Sequence, residues 1–164
     1  MKPDALNILQ TINVNDFAVC AKMMAITDPW ITLDLNYSQC LNAFEGQCKE
    51  IYLLKLNEEI AGFVILQMCG TFKGYIQTLC ISETHRGKGF GTKLLNFCEE
   101  KVFNVSPNIF ICVSSFNVRA IKLYHQIGFK TIGNLDNFVK EGFTEILLRK
   151  TIAPMVPSEK QVKN

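Results

Sequence analysis

Arg86, Gly87, Lys88, Gly89, Gly91 and Lys93 crowd into one short stretch between an apolar run and a helical repeat. Glycines at a helix start leave unpaired backbone N–H groups open to close approach, at the positive end of the helix dipole. With arginine and lysine beside them, they suit binding of a large anion, and a phosphate or pyrophosphate is the natural ligand. The same glycines would also suit a tight turn needed for geometry alone. The spacing excludes two common phosphate sites. G-x-x-x-x-G-K-[ST] is absent, and G-x-G-x-x-G fails because Lys93 and Leu94 follow Gly91.

The flanking residues predict the elements that would hold this turn. Tyr75 to Ile81 reads as a largely buried strand, Ser82 to Arg86 breaks it, and Gly91, Leu94, Leu95, Cys98 and Val102 recur at spacings of three and four on one face of a helix. Ile109 to Val113 is a short apolar run suited to an interior strand. Strand, helix and strand form a βαβ unit whose two strands are expected to be parallel. Asn117 then stands at an N-cap position, Ala120, Leu123, Tyr124 and Ile127 share one stripe, and Gly128 is a stop signal.

Before this unit, a strand over Leu6 to Ile12 leads to a helix through Phe17, Ala21, Met24 and Ala25, capped by Asn13 or Asn15 and ended at Asp28-Pro29. Trp30 follows in a linker, either as packing or as pocket lining. A second short helix covers about Tyr37 to Phe44, closed by Gly46, and Ile51–Leu56 with Ile60–Met68 read as a hairpin across Asn57-Glu58-Glu59. Phe129–Ile132 and Phe143–Leu148 read as a last strand pair. Periodicity fades from Arg149, which predicts one domain over 1–150 and a loose tail over 151–164.

Composition bounds the function. The chain has 164 residues, 48% of them hydrophobic, and a net charge of +2. That supports one sizeable core and argues against a nucleic-acid or anionic membrane partner. No apolar run approaches the ~18 residues of a spanning helix, and the N-terminus lacks the apolar core of a signal peptide, so a cytoplasmic location is expected. Seven cysteines occur, none spaced C-x-x-C, with two histidines. This predicts reduced, buried thiols and no metal site.

Arg86-x-x-Gly89-x-Gly91 after a strand resembles the pyrophosphate motif of the GNAT superfamily of acyl-CoA-dependent N-acyltransferases, [RQ]-x-x-G-x-[GA]. The segment N-x-x-A-x-x-L-Y-x-x-x-G-F, from Asn117 to Phe129, is similar to what that family carries after the turn. The resemblance implies an α/β (α+β) domain with a mixed, mostly antiparallel sheet of six or seven strands and about four helices, splayed between two central parallel strands. It implies acetyl-CoA as acyl donor, with its pantetheine arm paired to the backbone of Leu79, Cys80 and Ile81. The pyrophosphate would meet N–H groups of Gly87, Lys88, Gly89, Phe90, Gly91 and Thr92, beside Arg86. Asn117 and Ala120 would contact the arm, and Tyr124 would direct its hydroxyl at the sulfur.

Transfer to an amine also needs an oxyanion donor, for which a strand N–H near Leu79 serves, and an acid for the thiolate. A phenol with pKa near 10 suits Tyr124 to the second task. The base is not given. Relatives often carry a glutamate early on the central strand, where Tyr75 and Gln77 stand here; Glu50, Glu141, Glu145 and His125 have no assigned place. Without a base, the amine proton leaves through ordered water or the acceptor arrives neutral, and kcat/KM should rise with pH to the acceptor's own pKa. Two functions follow: an N-acetyltransferase acting on a primary amine of a small molecule or protein, by direct attack in a ternary complex, or a non-catalytic acyl-CoA-binding sensor on the same fold. The expected partners are acetyl-CoA and an amine acceptor, and a homodimer is compatible with either.

Overall fold

A computed structural model describes residues 5–159. One seven-stranded sheet runs in the order β1-β2-β3-β4-β5-β7-β6. The strands are β1 (Leu6–Thr11), β2 (Lys49–Leu56), β3 (Glu59–Gln67), β4 (Tyr75–Ile81), β5 (Asn108–Ser114), β6 (Lys130–Asp136) and β7 (Thr144–Thr151). Every neighbouring pair is antiparallel except β4 and β5. Four helices accompany it: α1 (Val14–Ala25), α2 (Tyr37–Asn42), α3 (Phe90–Phe103) and α4 (Val118–Ile127).

Local chemistry sets the helix ends. Asn13, not Asn15, caps α1, its side chain accepting from the Asn15 N–H at 2.9 Å. Asn36 and Gln39 form a reciprocal capping box on α2. That helix ends at Ala43, before the expected Gly46. Asn117 caps α4 by accepting from the Ala120 N–H at 3.2 Å, and Gly128 closes it in the left-handed conformation.

The sheet is buried on both faces, as the period-two alternation of β3 requires. Phe63 and Ile65 pack with Cys20, Ala21 and Met24 of α1 and with Cys40 of α2. Val64 and Leu66 face the opposite layer, with Leu94, Leu95, Cys98 and Val102 of α3 and Tyr124 of α4. Each such fully buried aliphatic or aromatic side chain contributes ~1.5–3 kcal/mol.

The functional consequence of this topology lies between β4 and β5. Their register includes only Tyr75 with Phe110 and Ile76 with Ile111, after which the strands part. β4 carries one unmatched residue, Gln77, between the pairs Leu66–Ile76 and Ile65–Thr78. A bulge of this kind bends its strand and sharpens its twist. The Ser82 N–H donates to the Ala61 carbonyl at 2.9 Å. Alternation from that bond turns the peptide groups of Cys80 toward β3 and those of Leu79 and Ile81 into the gap. Of the three residues expected to pair with a pantetheine arm, Leu79 therefore offers its backbone and Ile81 its N–H, the Ile81 carbonyl being taken by Arg86, whereas Cys80 is turned to β3.

Two sequence expectations are corrected. Cys48 and Cys69 form a disulfide, so the thiols are not all reduced; β2 and β3 bring them together at the base of their hairpin, where the Met68 N–H donates to the Cys48 carbonyl at 2.9 Å. β6 extends to Asp136, well past Ile132, because its partner β7 supplies a ladder that its own exposed, polar sequence does not announce. β7 itself ends at Thr151, and residues 152–159 are exposed without helix or strand. No helix among the described residues is long and apolar enough to cross a membrane.

Candidate active site

Among the described residues, the backbone N–H groups from Gly87 to Thr92 donate no hydrogen bond; the first intrahelical donor is the Lys93 N–H, to the Gly89 carbonyl at 3.0 Å. Gly87 and Gly89 hold left-handed φ values of 74° and 79°. A side chain at Gly89 would meet no protein atom within 4 Å, so this backbone is bared to open space. The result is a row of unpaired N–H groups ending in the positive terminus of α3, which suits a diphosphate.

This turn forms one end of a cavity of about 500 Å³ in the splay. Leu79, Cys80, Ile81, Arg86, Gly87, Gly89, Phe90, Gly91, Thr92, Asn117, Ala120 and Tyr124 all line it. Lys88 is exposed and its side chain is not part of the wall. Arg86 is anchored by bonds from Nε to the Ile81 carbonyl at 3.3 Å and from its guanidinium to the Asp28 carbonyl at 3.4 Å. Arg119 and Lys122 add two cations that the sequence reading missed. Their signal was available: α4 is amphipathic, and both precede residues of its apolar stripe by one position.

A second cavity of about 110 Å³ opens on the other side of the same gap, lined by Tyr75, Gln77, Ser114, Val139 and Glu145 among others. The two cavities share Pro29, Trp30, Leu79, Asn117 and Tyr124. Trp30 is therefore pocket lining as well as packing.

At this junction the Tyr124 hydroxyl has no hydrogen-bond partner among the described residues, although the residue is only 6% exposed. Burial pushes its pKa well above the phenol range, with the Cys98 thiol adding to the effect, so it stays protonated throughout the neutral range. That revises the expected match to a thiol: Tyr124 is a hydrogen-bond donor that holds its proton firmly. Asn117 commits its carbonyl to the α4 cap, which leaves its amide N–H groups for a ligand.

Cys80 lines the donor cavity, yet burial raises its thiol pKa to about 12 despite the opposing Arg86 charge. It is not a nucleophile at neutral pH. Among the described residues no cluster of three or more histidines, cysteines or carboxylates is set to hold a metal ion.

Of the four unplaced base candidates, the structure brings one to the site. Glu50 accepts from the Tyr52 hydroxyl, and His125 bonds Thr131 at 3.1 Å; neither lines either of these two cavities, nor does exposed Glu141. Glu145 is 5% exposed, faces the second cavity and accepts from the Ser114 Oγ at 2.6 Å. Gln77 lines the same cavity but spends its amide Nε2 on the Ala43 carbonyl at 2.9 Å.

Comparison with known proteins agrees with this geometry. An uncharacterized N-acetyltransferase of Methanocaldococcus jannaschii is 28% identical over 60% of this chain and 64% of its own length, so the match spans less than two thirds of that relative. A GNAT-family acetyltransferase from Elizabethkingia anophelis, solved with acetyl-CoA bound, superposes with a TM-score of 0.66 over 90% of this chain and 98% of its own, at 22% identity. A spermidine/spermine N-acetyltransferase from Vibrio cholerae gives 0.66 over 89% and 92%, at 16% identity. At such identities the superpositions speak for the fold. The profile of the acetyltransferase (GNAT) family matches residues 15–129, a span that takes in the glycine turn, the splayed strands and α4, and the chain belongs to that family.

Proposed function

We propose that the protein transfers an acetyl group from acetyl-CoA to a primary amine by direct attack within a ternary complex. The observation that carries this reading is the junction of the two cavities at Leu79, Asn117 and Tyr124. A donor site alone would need one cavity; two that meet at an unpaired phenol leave room for two reactants face to face.

The residues fit the donor. The unpaired N–H groups of Gly87 to Thr92 receive the diphosphate, Arg86 and Arg119 neutralise its charge, and Leu79 and Ile81 offer strand backbone to the amides of the arm. Acetyl-CoA supplies an activated thioester. In this reading the Leu79 N–H donates to the carbonyl oxygen as charge grows on it, and the Tyr124 hydroxyl donates to the departing sulfur. Cys80, held neutral, argues for direct attack over an acetyl-cysteine relay.

The test is thiol release from acetyl-CoA across a panel of amines and peptides, beside thermal stabilisation by CoA. Turnover with any acceptor is expected. Stabilisation by CoA with no turnover on any acceptor would favour the alternative, a sensor that binds acyl-CoA without catalysis.

A further inference from the structure

The second cavity has an unusual charge balance. Glu145 is its one ionisable carboxylate, and no lysine, arginine or histidine lines it. The groups that face Glu145 are all neutral donors or apolar. From β5, Ser114 donates to it and Cys112 lies near; from β4, Tyr75 lies near. From β6, Leu135 stands opposite in the register, and the neighbouring Asp136 is turned to the Thr144 hydroxyl at 2.7 Å. From α4, Tyr124 completes the wall. Burial holds both Tyr75 and Cys112 above their usual pKa, so neither supplies nor takes charge near pH 7. A buried carboxylate with one hydroxyl and no cation is incompletely compensated, and such a group recruits a cation or a proton.

We propose that Glu145 is a catalytic residue that binds the acceptor as a primary alkylammonium ion on an uncharged stem and then takes its proton. This rests on the acetyl-transfer reading above. At about 110 Å³ the cavity is far below the ~300–1,000 Å³ of drug-sized sites, so it admits an aminomethyl end and a short stem. Trp30, Leu33 and Val139 furnish an apolar wall for that stem. An amino acid brings a carboxylate beside its amine, and the cavity would place it against Glu145 with no cation to receive it. The alkylammonium can belong to a small amine or to a lysine side chain.

Protons and bonds balance as follows. Glu145 removes one proton from the ammonium, and the nitrogen lone pair forms the C–N bond at the thioester carbonyl. The C–S bond breaks, the second nitrogen proton reaches the sulfur by way of the Tyr124 hydroxyl, and Glu145 returns its proton to water. The first transfer spans about six pKa units between a free alkylammonium and a free carboxylate. Burial narrows that gap from both sides, because it disfavours each charged form. Glu145 already shows its half of the effect, with its carboxyl raised by desolvation and only partly offset by Ser114.

The experiment compares wild type and Glu145→Gln on butylamine, glycine, free lysine and an N-terminally blocked peptide with one internal lysine, across pH. Gln keeps the size and the Ser114 bond, and thermal stabilisation by CoA verifies its fold and donor site. Wild type should prefer butylamine or the blocked peptide to glycine by at least ~10-fold, and the better of these two arms identifies the source of the ammonium. Its kcat/KM should rise through the ionisation of Glu145, at one pH for every acceptor, and fall as each acceptor loses its charge at its own pKa. Glu145→Gln should lose ~10²- to 10⁴-fold in kcat/KM, together with the rising limb. A preference for glycine, or a Gln variant that keeps the limb and the rate, overturns the assignment while leaving acetyl transfer intact. Wild type that binds CoA but turns over no acceptor overturns the transfer reading and this inference with it.

Discussion

Ser114 and Glu145 face each other across β5 and β7, joined at 2.6 Å from hydroxyl to carboxylate. The bond favours the ionised carboxylate, whereas burial opposes it, and burial is the larger influence. Ser114 is thus a positioning residue that tunes Glu145 without reaching the reaction. Ser114→Ala should move the rising limb of kcat/KM to higher pH and leave its plateau within a few-fold of wild type. A plateau lost with no shift of the limb would mean that the serine only shapes the wall.

The same carboxylate predicts a stability effect opposite in sign to its effect on rate. With its folded pKa raised, protonation of Glu145 favours the fold; that contribution is fully present below the unfolded carboxylate pKa of ~4.3 and is lost as pH rises through the folded value. Glu145→Gln keeps a neutral group at every pH. Its Tm should match wild type in acid and exceed it at neutral and alkaline pH, read by thermal scans from pH 4 to 9. A Gln variant less stable at pH 8 than wild type would show that the carboxylate serves the fold.

Tyr124→Phe removes a hydroxyl without a partner, so folding stability should be unchanged or slightly improved. The rate should suffer, because the donor matters as charge builds on sulfur: kcat is expected to fall ~10²- to 10⁴-fold, with affinity for acetyl-CoA nearly intact. Steady-state kinetics beside CoA titration separates the two. Full kcat would reduce Tyr124 to its packing against Phe129.

Gly89 and Gly91 should differ although both belong to one motif. At Gly89 the φ of 79° strains any L side chain by roughly 1–2 kcal/mol, and the new Cβ would occupy the open space beside the turn. Gly89→Glu adds a like charge and should abolish thermal stabilisation by CoA. At Gly91 a Cβ would lie 3.5 Å from Leu123 Cδ2, an ordinary contact, so Gly91→Ala should retain it. Equal loss in both variants would mean that the motif needs glycine for the turn itself.

What the sequence disclosed was local. The glycine turn, the α3 and α4 stripes and the Asn117 cap each depend on residues a few positions apart, and they stand where spacing placed them. What it concealed depends on strands distant in the chain. Glu145 meets Ser114 only because β7 inserts between β5 and β6, and an isolated glutamate in an alternating strand otherwise reads as solvent-facing. Cys48 and Cys69 meet only when the hairpin registers. Arg119 enters the donor cavity because the N-terminal turn of α4 approaches the glycine turn, where its guanidinium lies 3.9 Å from the position a Cβ would take at Gly87.

Gly62, to which the sequence reading gave no role, sits in β3 opposite Ile81 at the end of β4 that borders the donor cavity. A Cβ there would fall 2.6 Å from Ile81 Cδ1 and 2.7 Å from the Cys80 carbonyl oxygen. The side chain of Ile81 can swing away, but the carbonyl belongs to a strand held by its ladder to β3, so the strand itself must shift. Overpacking of this kind costs ~1–3 kcal/mol. The shift would fall on the segment whose Leu79 and Ile81 peptide groups face the splay. Gly62→Ala should therefore lower Tm and also weaken CoA binding, although residue 62 touches neither cavity. A control of similar stability loss that lines neither cavity, Val102→Ala, whose side chain packs against Gly74 beside the opposite end of β4, should lower Tm with CoA affinity retained. Equal affinity losses in the two variants would assign the effect of Gly62→Ala to general destabilisation, and an unaltered affinity in Gly62→Ala would show that the donor strand tolerates the displacement.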